Sequence, residues 1–294
     1  MVQFIITGDT GTGEKEQYKV ANTMVQLIQK KKDIKSVILL GDNIYETGSL
    51  SVDDIQFKEK FEDPYQQINK PFYLCLGNHD YGLSHNPLKK GFMKDNSQVQ
   101  VDYSKVSNKW NMPSKYYHYE QSPCDFFFLD TNFDALSEST IMKQYHEMIQ
   151  TIKQSKQKWK ILCGHHTWRS VGGHGNAEKR HETFMQDLLK EEGVHIDVYM
   201  CGHDHCKNII ETKIGDKKIV ILVIGTGAKP YKKEYFFLNN MKIDQKRNQE
   251  DYSDLIFHSP NLGVCLLEAT QKILTMICYN EQLQEEFEYQ IKST

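Results

Sequence analysis

Five short motifs place residues that can bind metals or transfer protons directly after apolar segments of the chain. They are "GDTG" with Asp9, "GDNIYETG" with Asp42 and Tyr45, "GNHD" with Asn78 and His79, "GHH" with His165, and "GHDH" with His203 and His205. Any one of these motifs alone is typical of a turn or of a packed histidine. Five in succession, each at the end of an apolar segment, are difficult to attribute to turns. Carboxylate and amide oxygens, imidazole nitrogens and a phenol oxygen together form a ligand set for two divalent or trivalent first-row metals.

The segments that precede these motifs are short, continuous and apolar, a pattern that predicts strands buried on both faces. They lie at 2–7, 36–40, 72–76, 125–130, 159–164, 196–202 and 218–225. Segments with apolar residues at helical spacing lie at about 15–31, 53–62, 138–154 and 178–192. Strands that alternate with helices predict a layered α/β fold. In such sheets ligands bind beyond the carboxyl ends of the strands, which is where the five motifs stand.

The remaining segments are harder to interpret. Residues 81–115 and 229–254 are polar or charged without a clear period, and we predict that both are surface loops. Segment 229–254 is rich in charges and aromatic residues, so it is also the predicted surface for a protein partner. "GVCLLEA" (263–269) and "ILTMICY" (273–279) predict a closing hairpin at a sheet edge. Because no shift in composition marks a linker, we expect a single domain over residues 1–294.

Composition excludes several classes of protein. The 294 residues are 39% hydrophobic and 26% charged with a net charge of -3, which predicts a large core and gives no reason to expect nucleic-acid binding. No apolar segment approaches the roughly 20 residues that span a bilayer. The first strand leaves no room for a signal peptide, no Asn-x-Ser/Thr glycosylation acceptor occurs, and the seven cysteines lack a disulfide spacing. We therefore expect buried reduced thiols and an intracellular location, or a lysosomal or secreted one if the N-terminus was trimmed.

The order of the five motifs resembles that of the metallophosphoesterase (calcineurin-like phosphoesterase) superfamily. Within it, the chain is most similar to the purple (tartrate-resistant) acid phosphatases of the small animal type. The resemblance runs through most of the chain, including residues 103–119, 164–175 and 193–205. It implies a four-layer α/β/β/α sandwich in which two central mixed sheets carry a two-metal centre at their strand ends.

Position by position, the resemblance implies a complete set of metal ligands. Fe(III) would be held by Asp9, Tyr45 and His205, and a second metal, Fe(II), Zn(II) or Mn(II), by Asn78, His165 and His203, with Asp42 bridging the two. Other branches of the superfamily carry a histidine two residues after the first aspartate, where this chain has Gly11. Tyr45 would supply an anionic oxygen in its place, and phenolate coordination favours Fe(III) over a divalent ion.

The activity implied by the resemblance is that of an acid phosphatase with phosphomonoester substrates. The phosphoester would be cleaved by in-line attack of a metal-bound hydroxide. His79 and His174 match positions that contact substrate, and one of them would protonate the leaving alkoxide. Asp80 is the expected partner that orients His79.

Three departures from the family pattern border the predicted substrate pocket. His166 and Thr167 stand where members commonly carry Tyr-Pro, and "TGTG" after Asp9 replaces a turn that contains an aromatic residue. The connection from Asp130 to the helix near residue 138 is short for the family, which implies a more open site. His166 is either a further cation of the pocket or a side chain turned toward neighbouring structure.

Two alternative functions are compatible with the same motifs. One is a scaffold or interaction protein of a larger assembly that keeps the fold; the complete ligand set favours the enzyme over it. The other is a phosphodiesterase or protein phosphatase of the same superfamily, which Tyr45 and Gly11 disfavour.

Overall fold

The computed structural model describes residues 1–82, 95–230 and 253–293. Two β-sheets lie at the centre of this part of the chain. Their strands are β1 Val2–Thr7, β2 Ile34–Leu40, β3 Phe72–Cys75, β4 Trp110–Asn111, β5 Tyr117–Gln121, β6 Cys124–Phe128, β7 Trp159–Cys163, β8 Val198–Cys201, β9 Lys207–Ile214, β10 Lys217–Ile224, β11 Asp254–Ser259, β12 Gly263–Ala269, β13 Ile273–Asn280 and β14 Glu285–Lys292. The helices include α1 Lys15–Lys30, α2 Ile55–Phe57, which continues into a π-helical turn at Lys58–Glu62, α3 Ser97–Tyr103, α4 Glu138–Gln154 and α5 Lys179–Lys190.

Both sheets are mixed, and each has seven strands among the described residues. The first sheet has the order β14-β13-β12-β1-β2-β3-β4, and the second has the order β11-β9-β10-β8-β7-β6-β5. β1 to β4 are mutually parallel, as are β6, β7, β8 and β10, whereas the remaining pairs are antiparallel. The carboxyl ends of β1, β2, β3, β7 and β8 therefore carry the five motifs.

Burial on both faces explains why the strands are continuously apolar. Along β6, Phe126 and Phe128 belong to the core shared by the two sheets, whereas Phe127 belongs to the core that the second sheet shares with α4 and α5. The ring of Phe126 meets that of Phe4 of β1 edge to face, with 4.8 Å between centroids. α1 packs its buried face, including Met24 and Leu27, against the first sheet. The result is the four-layer α/β/β/α arrangement that the family resemblance implies.

Local sequence signals fix several helix boundaries. α4 begins after Ser137, whose hydroxyl accepts a hydrogen bond from the amide of Thr140 and so caps the helix. α2 begins after Asp54, whose carboxylate accepts from the amide of Gln56 in the same way. Helix α4 covers the predicted segment 138–154, and α1 and α5 end within two residues of their predicted limits. Among the described residues, no helix is both long and apolar enough to cross a membrane.

Two structural predictions from the sequence are wrong. Residues 95–115 are not simply a surface loop, because they contain α3 and β4, and the buried ring of Trp110 packs against Phe57, Phe61 and Tyr103. Polar neighbours conceal these anchors in the sequence. The C-terminal hairpin is present, but its first strand pairs with β1 inside the sheet, and the edge strand is β14, which was not predicted.

Some predictions lie partly or wholly outside what the structure describes. Residues 83–94 of the first predicted loop and 231–252 of the predicted partner surface 229–254 are outside the described residues. The expectation of a single domain stays a prediction.

Candidate metal centre

The candidate site forms where the carboxyl ends of strands from the two sheets meet. A glycine precedes each group of predicted ligands, and the structure shows why. A Cβ atom on Gly77 would lie 2.1 Å from Oδ1 of Asp42, and one on Gly41 would lie 2.6 Å from Nδ1 of His165. A side chain at either position would displace the neighbouring ligand, so glycine is required by close approach.

Three of the predicted ligands have an unusual backbone conformation. Asp9, Asp42 and His203 have φ angles of 58°, 53° and 67°, in the left-handed region that non-glycine residues seldom occupy. Each such residue costs on the order of 1–3 kcal/mol, and such strain clusters at functional sites. Each of the three residues stands two positions after the end of its strand.

Asp9, Tyr45 and His205 form the first group of contacts. The Tyr45 hydroxyl lies 3.0 Å from Oδ1 of Asp9, to which it donates a hydrogen bond, and 3.5 Å from Nε2 of His205. Nε2 of His205 lies 3.4 Å from Oδ1 of Asp9. All three ligand atoms are close enough to share one cation.

Asn78, His165 and His203 form the second group, in which Nε2 of His165 is central. It lies 3.1 Å from Oδ1 of Asn78, 3.1 Å from Nδ1 of His203 and 3.4 Å from Oδ1 of Asp42. The second group therefore adjoins Asp42. The ligand atoms of Asp9, Asp42 and His165 lie within 4.8 Å of one another, which joins the two groups.

The donor chemistry of His165 fits a bound metal. Its Nδ1 lies 2.8 Å from the carbonyl oxygen of Leu40, which can only accept a hydrogen bond, so Nδ1 carries the proton. Nε2 is then left as a lone pair that faces the oxygens of Asn78 and Asp42, which are acceptors as well. A proton or a cation must lie among these atoms. A histidine whose second nitrogen is fixed by a carbonyl is the usual arrangement for a metal ligand.

The charges of the site are strongly coupled. Burial alone would raise the pKa of Asp42, but the positive charges of His165 and His79 lower it to about 2. Burial alone would lower the pKa of His165, but Asp42 and Asp9 raise it. The carboxylates of Asp42 and Asp9 therefore favour a positive charge between them.

Tyr45 and His203 respond to the same surroundings in the direction that favours their neutral forms. Burial raises the pKa of Tyr45 well above its ordinary value, and Asp42 and Asp9 raise it further. Burial lowers the pKa of His203 well below its ordinary value, and the nearby histidines add to this shift. A neutral His203 can offer a lone pair, whereas Tyr45 needs a strong cation before it gives up its proton.

His79 and His174, the predicted substrate contacts, lie on two sides of the ligands. The His79 amide donates to Oδ1 of Asp42 at 3.0 Å, and Nε2 of its ring lies 4.0 Å from Oδ2. The exposed His174 stacks on the ring of His203, with 3.9 Å between centroids. Its amide donates to Oδ1 of the buried Asp204 at 2.7 Å. The structure thus brings all nine predicted residues into one region.

Asp80 has a role that the sequence did not predict, whereas its expected role of orienting His79 stays a prediction. Its buried carboxylate accepts hydrogen bonds from the amides of Asn43, Ile44 and Gly77 and from the side chain of Gln100. It therefore ties the loop after β2 to the loop after β3.

His166 lies beside Thr131, whose hydroxyl is 2.9 Å from Nδ1 of His166. The ring of His166 lies 4.7 Å from the ring of His203.

The position two residues after Asp9 is occupied by Gly11, and the packing around it leaves no room for a histidine. A Cβ atom on Gly11 would lie 2.0 Å from the backbone oxygen of Asn43. The amide of Gly11 also donates to the backbone oxygen of Asp42 at 3.1 Å, and its carbonyl accepts from the amide of Tyr45 at 2.9 Å. The chain segment that carries Tyr45 thus fills the space where another side chain would lie.

Comparison with known proteins decides the family. Residues 2–207 match the family model described as calcineurin-like phosphoesterase. The chain belongs to the calcineurin-like phosphoesterase family. This phosphoesterase is 30% identical to purple acid phosphatase 17 of Arabidopsis thaliana over 83% of its own length and 73% of the relative. It is 28% identical to tartrate-resistant acid phosphatase type 5 of Oryctolagus cuniculus over 73% of its length and 70% of the relative.

A solved structure supports the fold of this phosphoesterase. It superposes on GAP50, described as the anchor in the inner membrane complex of Plasmodium, with a TM-score of 0.75 and 19% identity over 100% of this chain and 89% of the other. At 19% sequence identity, this similarity is evidence for the fold alone. The predicted family and fold are confirmed, and both of the relatives named above are acid phosphatases.

Proposed function

We propose that this phosphoesterase is an acid phosphatase that hydrolyses phosphomonoesters at a two-metal centre. The observation that carries the proposal is that seven side chains converge at the strand ends. Six of them form two groups of three, and the seventh, Asp42, lies next to the second group. One cation would be held by Asp9, Tyr45 and His205, and the other by Asn78, His165 and His203, with Asp42 shared between them. Relatives that are purple acid phosphatases support the same assignment.

Tyr45 supports a proposal for the first metal. Its phenol lies among carboxylates that oppose its ionisation, so only a strongly charged cation makes it an effective ligand. We therefore propose Fe(III) for the first position and Fe(II), Zn(II) or Mn(II) for the second. When bound, two such metals would supply a nucleophilic oxygen from water at acidic pH and would neutralise the charge of the phosphoryl group.

His79 is suited to hold a proton for the leaving group. Nδ1 of its ring lies 2.6 Å from the carbonyl oxygen of Glu46, so Nδ1 carries a proton and Nε2 faces the site. In the imidazolium form, Nε2 carries a second proton toward the position of the substrate. This proton can pass to the alkoxide oxygen as the bond to phosphorus breaks.

His174 is positioned to contact the phosphoryl oxygens. Its loop is fixed by Asp204, which accepts from the amides of His174 and Gly175 and from the hydroxyl of Ser170. A Cβ atom on Gly172 would lie 2.4 Å from the Asp204 carboxyl carbon, so the loop can approach this closely only with glycine there. The loop therefore holds the imidazole at the mouth of the site, where it can donate a hydrogen bond to an anionic substrate.

The proposal is tested by comparing ester substrates and one ligand variant. The metal-loaded protein should hydrolyse p-nitrophenyl phosphate at acidic pH in preference to bis(p-nitrophenyl) phosphate. His165→Ala should lower kcat/KM for the monoester by at least about 100-fold, because even residues that only support a metal ligand are worth 10–100-fold. His146→Ala, which removes an exposed histidine of α4, should leave the activity unchanged.

Two results would refute the proposal. One is a fully metal-loaded protein that hydrolyses neither ester. The other is equal monoesterase activity in His165→Ala and the unaltered protein.

The interaction role is the second candidate. The structural likeness to GAP50 is compatible with it, but at 19% identity that likeness reaches the fold alone. The complete set of converging side chains favours the hydrolase.

A further inference from the structure

A lysine from beyond β10 lies directly over the ring of Tyr45. Nζ of Lys229 is 3.5 Å from the centroid of that ring, well within the distance of a cation–π interaction. The Lys229 side chain is 29% exposed, and Tyr45 is 2% exposed. The ammonium group therefore covers the outer face of the ring and lies between the ring and solvent.

A carboxylate holds this lysine in place. Oε1 of Glu46, the residue that follows Tyr45, lies 2.8 Å from Nζ of Lys229. The other oxygen of Glu46 lies 3.7 Å from Nδ1 of His79. One acidic side chain thus contacts both the lysine over Tyr45 and the ring of His79.

A second lysine near Tyr45, Lys60, makes a different contact. Nζ of Lys60 donates to the backbone carbonyl of Tyr45 and to the side chain of Gln56. Lys60 thus anchors the loop through the backbone of Tyr45, whereas Lys229 contacts the ring. The hydroxyl end of Tyr45 faces Asp9, and the ring of His79 lies beside the Tyr45 ring, with 4.6 Å between centroids.

We propose that Lys229, clamped by Glu46, is a positioning residue that fixes the plane of the Tyr45 ring and places a positive charge on its π electrons. The inference rests on the proposed function, in which Tyr45 is a ligand of Fe(III). A cation on the ring face lowers the energy of the electrons that a phenolate ligand donates. More energy is then needed to transfer an electron from the ring to the metal, so the charge-transfer band lies at shorter wavelength.

The main test is the position of the visible band of the iron-loaded protein. Lys229→Met keeps the length of the side chain and removes its charge, and it should move the band to longer wavelength. Lys229→Arg should restore the band position, since a guanidinium group also stacks on aromatic rings. Glu46→Gln should give a smaller shift in the same direction as Lys229→Met, because it loosens the clamp.

A matched control is available on the second sheet. Lys218 pairs with Glu211 at 2.7 Å, much as Lys229 pairs with Glu46, but away from Tyr45. Lys218→Met should not move the band. The wavelength is compared at measured iron content, so a loss of metal affects intensity and not the quantity read.

The second readout needs no metal. Ring currents above an aromatic face should move the ε-methylene protons of Lys229 upfield in the NMR spectrum of the metal-free protein, and this signal should vanish in Lys229→Arg. If no such signal exists, or if Lys229→Met leaves the band where it is, the inference is overturned. A protein that binds iron without any visible band would instead refute Tyr45 as a ligand, and with it the proposed function.

Discussion

Lys207 is a buried lysine that joins the two sheets two residues after His205. Its side chain is 0% exposed. Nζ donates to the carbonyl oxygens of Asn261 at 2.8 Å, Leu262 at 3.1 Å and Tyr279 at 3.3 Å. It also lies 2.7 Å from Oε2 of Glu286 of β14. Lys207 belongs to the second sheet. It thus contacts three backbone carbonyl groups and one carboxylate in the segments at the edge of the first sheet.

The change Lys207→Met should destabilise the protein severely. Removing one partner of a buried ion pair costs about 3–5 kcal/mol, because the other charge stays buried without compensation. The three carbonyl oxygens would also lose their donor, and each unpaired buried group adds to the cost. We therefore expect the free energy of unfolding to fall by about 4 kcal/mol or more, which is a large part of the total for a domain.

The assay is equilibrium unfolding in urea on the metal-free protein, so that metal binding does not contribute. Lys213→Met removes an exposed lysine from the same strand and should change the free energy of unfolding by no more than about 0.5 kcal/mol. Adding Glu286→Gln to Lys207→Met should recover part of the loss, since the uncompensated carboxylate is then gone. A loss below about 1 kcal/mol for Lys207→Met would refute this reasoning.

Two further perturbations test the packing of the site and of α5. Gly77→Ala should abolish tight metal binding in a calorimetric titration, because its Cβ atom would lie 2.1 Å from Oδ1 of Asp42. Gly215→Ala adds backbone strain at a φ of 58° in the turn between β9 and β10, but its Cβ meets no atom within 4 Å, so it should keep metal binding. Equal affinities of the two variants would contradict the steric argument. Burial lowers the pKa of His181 to about 4 from about 6.5, so between these pH values the unfolded state binds more protons. The stability linked to His181 is complete above pH 6.5 and falls by about 3 kcal/mol as the pH drops to about 4. His181→Leu should flatten this part of the stability curve measured in urea, and an unchanged slope would show that His181 is not buried in its neutral form.

The strand ends of the site could be predicted from the sequence because their signals are local. A continuous apolar segment, then glycine, then a polar ligand recurs at β1, β2, β3, β7 and β8. The close approach around Gly41 and Gly77 gives that pattern its physical cause. The grouping of the ligands came from the family resemblance, and the contacts of Tyr45 and His165 agree with it.

The elements that were missed depend on contacts between distant residues. α3 and β4 carry polar residues on their outer faces. The packing of Tyr103 on Phe57, with 3.7 Å between centroids, and of Trp110 on Phe57 and Phe61 makes them part of the core. β14 alternates half-buried and exposed residues from Phe287 to Lys292, as expected for the edge of a sheet. Local sequence gives little indication of α3 and β4. The alternation of Phe287, Tyr289 and Ile291 with polar residues is a local strand signal that the prediction did not include.

The charged residues around the site were missed for the same reason. Glu46 and Lys229 are 183 residues apart, so the sequence does not indicate that the glutamate of "GDNIYETG" contacts this lysine. Asp204 stands between two ligands, and only the structure shows that it fixes the loop of His174.

All seven cysteines are free and buried, as predicted, while the intracellular location inferred from them stays a prediction.

The visible absorption spectrum of the purified protein, with metal analysis on the same sample, tests the central claim most directly. A Tyr45 ligand on Fe(III) predicts about two metals per chain and a purple charge-transfer band that disappears in Tyr45→Phe while the iron remains bound. A protein that stays colourless and holds no iron after reconstitution would contradict the two-metal centre and favour a role in binding other proteins.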